Sequence, residues 1–516
     1  MISFYDSREP SRRSILFIGT MAMLVATGLL GVRLARPATL PSPRPSLTLP
    51  ASSTEAEIDT GGRIRTDRRV YPEPPLPPLP PAGGKFNDLV FGTEIMRATD
   101  AKDSPAPGCS TFYNQWPTFN SDNTRLLIRC GDSGDVKIKA FDPINFRLGA
   151  TLRTSPTLPG GVTLTWEGAT WSRNDPDLIF VHVNYYSPDY PATGMKLYTY
   201  RISTNAFRLL KDFGPQLTPG QPDYLFEMHV AQDGKDDVFT FQHKRVGKSD
   251  ALYFIVWKRS TDTVLLHIAT DDSRLFPIVG TNACIPDKSG RWVFFSPNGS
   301  PTAGQARIRI LDLTSSRWQT IYWTGADDPA SHGDLGTGIL VGHGNFSGGA
   351  NGRRLSDLHH HTMLFDYKDT KGMTDWSQDQ HITLYADDES WATMALYPEG
   401  GPYNTGAFRA EVLQFATDGS QRIRRLFHHR SVIDNLTNTS GYWAIPKPTI
   451  CRDGRFIAFT SNWGKSGRYD LFIAKIDPAP RLSALTQTRP SAPSVLVRQR
   501  RVTQKRPDSG PPQTEN

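Results

Sequence analysis

The sequence predicts an all-β protein, a seven-bladed β-propeller behind an N-terminal membrane helix and a Pro-rich linker. Three observations carry that prediction. One line of residues recurs, clearest as "PTFNSDNTRLLIRCGDSGDVKIKAFDP" at 117–143 and "PTICRDGRFIAFTSNWGKSGRYDLFIAKIDP" at 448–478. The line returns seven times at a period of roughly 50 to 60 residues, which is the length of one four-stranded blade. Ahead of the repeats stand an apolar run, Ile15–Val32, and a stretch dense in proline.

Residues 1–36 read as a short cytoplasmic tail and a signal anchor. The uninterrupted run "ILFIGTMAMLVATGLLGV" is long enough to cross a hydrocarbon core as a helix. Arg33 and Arg36 follow it where signal peptidase needs small residues, so the span is expected to stay uncleaved, with the propeller on the periplasmic or extracellular side. "SRRSIL" (11–16) also resembles a twin-arginine export signal, although two arginines before an apolar segment are what any inner-membrane anchor carries. Residues 37–84, with "PATLPSPRPSLTLP" and "YPEPPLPPLPPAGGK", read as a polyproline-like spacer, and 481–516 as a basic disordered tail.

The formal charge of +7 belongs to these ends. Residues 1–84 hold 10 basic against 7 acidic side chains and 481–516 hold 7 against 2, which leaves the middle at 41 against 42. A neutral folded part without a basic, aromatic-laced stripe excludes nucleic acid as a partner. The expected partners are the membrane, through the helix, and a protein or glycan ligand, with the propeller itself a monomer.

Residues 85–480 hold the repeats. The seven units begin near Trp116, Trp166, Phe226, Ala283, Ser331, Asp379 and Lys447, each as strand, Asp-Gly-type turn, strand, loop, strand. The last unit has three clear strands, so either "FNDLVFGTEI" (86–95) or "RLSALTQ" (481–487) supplies the strand that closes the ring. The phrase Pro-x-Phe/Ile-x-x-Asp-Gly-x-x-Ile-Ala-Phe-Thr-Ser, with a later Ile-x-Asp, resembles the TolB-type propeller repeat over about 116–478. The four cysteines read as small buried hydrophobes, with Cys109 and Cys130 the pair that an oxidising compartment would join.

In a propeller the first strand of each blade lines the central channel, so chemistry should gather there. His229, His332 and His381 open the third, fifth and sixth units, His428 and His429 precede the seventh, and Asp334 is placed to bind His332. All are channel-mouth candidates. "QDQHIT" further resembles the Gln-x-x-His-x-His metal string of the seven-bladed oligogalacturonate lyases, with Thr383 where the second histidine belongs. That resemblance implies a metal set of Gln378, His381 and His332 for a divalent ion, manganese or zinc. The departure at Thr383 removes a strong ligand, and the family's catalytic Arg and His have no match. No catalytic residue is therefore assigned and no cofactor is expected. His359–His361 read as a polar loop, and Trp166, Tyr185, Tyr186, Trp323, Trp376 and Trp391 as candidate ligand contacts. The reading is a binding or scaffold module, with a metal-dependent oligouronate lyase as its alternative.

Overall fold

The computed structural model describes residues 64–480 and 482, apart from 106, 183–193, 247, 249–250, 276–280, 298–305, 369–377, 399–405 and 434–438. Ile15–Val32, the first part of the linker and the tail lie outside the described residues, as do Tyr185, Tyr186 and Trp376. No helix among the described residues is long and apolar enough to cross a membrane.

Among the described residues seven antiparallel sheets of four or five strands make a seven-bladed propeller, and an eighth, two-stranded sheet, Thr157–Leu158 with Val162–Thr163, stands between the first two of them in the chain. Blades 1 to 6 have four strands each, running from the channel outward in chain order. Blade 1 comprises Cys109–Ser110, Arg125–Cys130, Asp135–Asp142 and Arg147–Thr154; blade 6 comprises Gln378–Thr383, Trp391–Pro398, Glu411–Ala416 and Ile423–His428. The middle strands read as short apolar runs because neighbouring blades cover both of their faces, as in Asp470–Lys475, buried along all but its last residue. Outer strands such as Arg147–Thr154 are mostly exposed and correspondingly polar. The Asp-Gly turn works through its backbone: Gly454 has φ +73° and Asn123 takes φ +63° at the matching place in the first unit, each donating its N–H three residues back.

Blade 7 is where both ends of the ring meet. Its strands run Thr449–Ile450, Phe456–Ser461, Asp470–Lys475, then Glu94–Arg97 and Lys85–Asn87 from the N-terminal side. The 86–95 segment is therefore the closing one, with Ile95 opposite Ala474 and Met96 opposite Ile473, all four fully buried. Ile95, Val412, Phe427, Ile457 and Phe472 fill the space between blades 6 and 7. Each such side chain contributes about 1.5–3 kcal/mol of burial.

Four readings of the sequence are corrected. Cys109 and Cys130 are not free hydrophobes: they face each other across the first two strands of blade 1 and form a disulfide. Gly108 allows this, because at φ +122° a side chain there would collide with the Tyr469 carbonyl. The later part of the linker is no free spacer, since residues 64–84 lie against blades 6 and 7. There Arg65 bridges to Arg425, at the outer edge of blade 6. His359–His361 belong to the strand Asp357–Asp366 rather than to a loop. Blade 1's inner strand is only Cys109–Ser110, so 111–118 run as a loop that carries Tyr113 and Trp116 toward the channel histidines.

Candidate functional site

The inner strands bring together some of the candidates and separate others. In blade 5 the strand Ala330–Leu335 is bulged between Ser331 and Asp334, and His332 sits at φ +43°, a conformation a histidine keeps only when its surroundings impose it. Its Nδ1 bonds the Asp379 carboxylate at 2.9 Å, and its ring stacks on His381 with centroids 4.8 Å apart. Burial opposes ionisation of Asp379, yet its contact with His332 holds the carboxyl below its usual range.

His381 is held from both sides. Its Nε2 lies 2.8 Å from the Tyr113 hydroxyl and its Nδ1 2.8 Å from that of Tyr397. A neutral imidazole offers one donor and one acceptor, so one tyrosine accepts its proton and the other donates. Burial, helped by the neighbouring His332 and Lys447, lowers its basicity far below the ordinary range and keeps it neutral. Lys447 is buried nearby, donating to the Tyr442 carbonyl at 3.1 Å beneath the rings of Tyr442 and Trp443.

Gln378 and Thr383 begin and end the same inner strand, both buried. The Thr383 hydroxyl donates to Asp334 at 3.3 Å, and the backbone N–H groups of Leu384 and Leu335 donate to the same carboxyl at 2.8 Å. Burial raises Asp334 to about 6 despite these donors. Asp334 is thus a neighbour of Thr383, not of the His332 ring.

His229 lies across the channel. Its ring rests on Trp116 at 4.4 Å and its Nε2 is 3.0 Å from a Glu227 carboxyl oxygen, whose other oxygen takes the Gln242 amide. Burial pushes Glu227 up to about 8 and His229 down to about 3, so at neutral pH the carboxyl holds the proton and donates it to the imidazole. Nothing in the sequence singled out Glu227, whose φ of +45° belongs to a bulge in the strand. His229, Asp334, Gln115 and Lys288 line a channel cavity of ≈ 20 Å³, a volume of one or two waters.

His428 and His429 are elsewhere, at the end of blade 6's outermost strand. His428 Nδ1 bonds Asp88 at 2.9 Å, and His429 donates from Nε2 to the Leu396 carbonyl at 2.8 Å while its Nδ1 accepts the Ser431 N–H. They contribute to packing where the N-terminal segment joins the ring.

A transition metal does not fit this arrangement. Binding it would take a lone pair from His381, whose two nitrogens are both bonded to tyrosine, and the position of the missing third imidazole is a threonine committed to Asp334. No group of three His, Cys, Asp or Glu among the described residues is arranged to hold a metal ion.

A cleft of ≈ 480 Å³ lies between blades 6 and 7, on the face that carries the Asp-type turns. Trp391, Gln414 and Ile450 form its buried wall, and Asp387, Arg452 and Asp453 its rim. The Trp391 indole donates to the Pro480 carbonyl at 2.9 Å, which pins the end of the propeller across the opening. Arg173 and Arg452 both pair with Asp387, so its rim carboxylate is already neutralised. Of the other aromatic candidates, Trp166 is core, against Trp116 and Trp443, while Trp323 meets the exposed Phe346 at 5.3 Å.

The seven sheets and the inner-strand site together define a seven-bladed propeller. Among solved structures the chain is similar to an oligogalacturonate lyase in complex with manganese: TM-score 0.51, 14% identity, 77% of this chain and 97% of that one. It is equally similar to the oligogalacturonate lyase of Vibrio parahaemolyticus: TM-score 0.51, 13% identity, 76% and 96%. TolB from Acinetobacter baumannii matches at TM-score 0.29 and 10% identity over 60% of this chain and 53% of that one. At such identities the likeness to the lyases is one of fold. No family model and no curated protein matches the chain.

Proposed function

We propose that the chain is a membrane-anchored, extracytoplasmic propeller that binds a protein or glycan of the cell envelope. The observation that carries this reading is the saturation of His381 by Tyr113 and Tyr397, which leaves the channel a braced core. The blade 6–7 cleft, by contrast, has the volume and the mixed aromatic and polar lining of a ligand seat. The Cys109–Cys130 disulfide agrees with an oxidising compartment outside the cytoplasm. Binding of purified full-length protein to solubilised envelope glycans and envelope proteins, measured by calorimetry, is expected to weaken at least tenfold in Pro478→Trp, whose indole fills the cleft. Tight binding that this variant leaves unchanged would move the ligand elsewhere and sink the assignment.

The metal-dependent lyase is the second reading, favoured by the contact between His332 and His381 on a lyase-like fold. It requires one of the two tyrosines to release a His381 ring nitrogen, the other nitrogen keeping its hydrogen bond as metal-bound histidines do. Cleavage of oligogalacturonate to unsaturated products by protein that retains manganese or zinc would decide for it.

A further inference from the structure

The later linker, "YPEPPLPPLPP" (71–81), has a conformation its composition dictates. Proline fixes φ near −65° and drives the residue before it out of the helical region, and every non-proline here precedes a proline, so the stretch is a polyproline II helix with three residues per turn. The contacts repeat with that period. Arg430 Nη1 donates to the Pro74 carbonyl at 2.8 Å, Trp463 Nε1 to Pro77 at 2.9 Å and Arg97 Nη1 to Pro80 at 2.6 Å. These three carbonyls lie on one edge of the helix, and Leu79 packs into the blade 6–7 core.

The outward edge repeats as well. Pro72, Pro75, Pro78 and Pro81 are all exposed, again three residues apart, and Leu76 beside them is 46% exposed. We propose that this ridge is a docking surface for a separate protein whose groove is lined by Trp and Tyr slots, the kind of groove that reads Pro-x-x-Pro. The propeller holds the ridge extended beforehand, so the ordering that weakens binding of a free proline-rich peptide is already done. The exposed Arg69 at its start favours a groove flanked by carboxylates. The inference does not rest on the function proposed for the cleft.

The test is a titration of purified full-length protein with a purified SH3 domain of acidic flank, followed by the fluorescence of the groove tryptophan, beside a synthetic peptide of residues 68–83. Binding tighter than to the peptide is expected, at least tenfold weaker for Pro75→Ala/Pro78→Ala and little changed for Pro77→Ala on the inward edge. The four prolines project away from the fold, so the double variant should melt with the parent. No binding, or binding that the double variant leaves intact, would overturn the proposal. Self-association abolished by that double variant would also overturn it, by making a second copy of this chain the occupant.

Discussion

Replacing His381 with alanine separates a braced channel from a metal site. The substitution removes the bonds to Tyr113 and Tyr397 and the stacked contact with His332. Two buried hydrogen bonds are worth about 0.5–1.5 kcal/mol each, and the ring contact and the space left behind add about one more, so a loss of about 2–4 kcal/mol is expected. For roughly 400 ordered residues the unfolding entropy is on the order of 0.8–0.9 kcal/mol/K, which converts that loss to a fall in Tm of about 2–5 °C. Thermal and urea denaturation of the purified protein measure it, and Tyr397→Phe, which deletes one of the bonds, should lose about 0.5–1.5 kcal/mol. A His381→Ala protein within about 0.5 kcal/mol of the parent would refute the bracing argument. So would a chelator that lowers the parent's Tm to the variant's and leaves the variant untouched, because the stabilising partner would then be an ion.

Three further outcomes follow from other parts of the fold. Arg425 and Glu411 form a bidentate pair with both side chains buried, at 2.8 and 2.5 Å, so Arg425→Met, which strands the carboxylate, should destabilise by about 3–5 kcal/mol in denaturant titrations. Replacing Cys109 and Cys130 with serine opens a loop spanning a sequence separation of 21, and the chain-entropy estimate for such a loop is a loss of about 3 kcal/mol, read as a fall in the denaturation midpoint that matches the reduced parent. Glu227 has a folded pKa of about 8 against about 4.3 unfolded, so its proton stabilises the fold at low pH and that contribution fades as pH rises toward 8. His229 acts oppositely, at about 3 folded against about 6.5 unfolded, and offsets this up to pH ~6.5. Between pH ~6.5 and 8 the parent should therefore lose up to ~2 kcal/mol relative to Glu227→Gln in matched melts, and parallel curves would contradict the buried-proton assignment.

Much of the fold was legible because its cause is local. A strand buried on both faces needs an unbroken apolar run, and a tight turn needs Gly, Asn or Asp at the left-handed position; both leave marks at fixed spacing, as at Asp453-Gly454 and Asn123. Ring closure was not legible, since "FNDLVFGTEI" and "RLSALTQ" are equally strand-like and only pairing with Asp470–Lys475 distinguishes them. The site was half legible. The contact of His332 with His381 followed from their places on adjacent inner strands. The tyrosines on His381 did not: Tyr113 comes from a loop that looks like strand, and Tyr397 from the second strand, across the sheet. Glu227 was hidden because a bulge turns it inward against the alternation of its neighbours. The docking of 71–81 was hidden for a different reason, since proline-rich sequence specifies an extended helix but not whether Arg430, Trp463 and Arg97 wait beneath it.

The most direct test of a binding propeller against a metal-dependent lyase is the metal content of the purified full-length protein, determined by elemental mass spectrometry after mild purification. Because His381 is bonded to two tyrosines and Thr383 stands in for a ligand, the expected result is manganese and zinc far below one ion per chain, unchanged in His381→Ala. One tightly held ion per chain that His381→Ala removes would contradict the account.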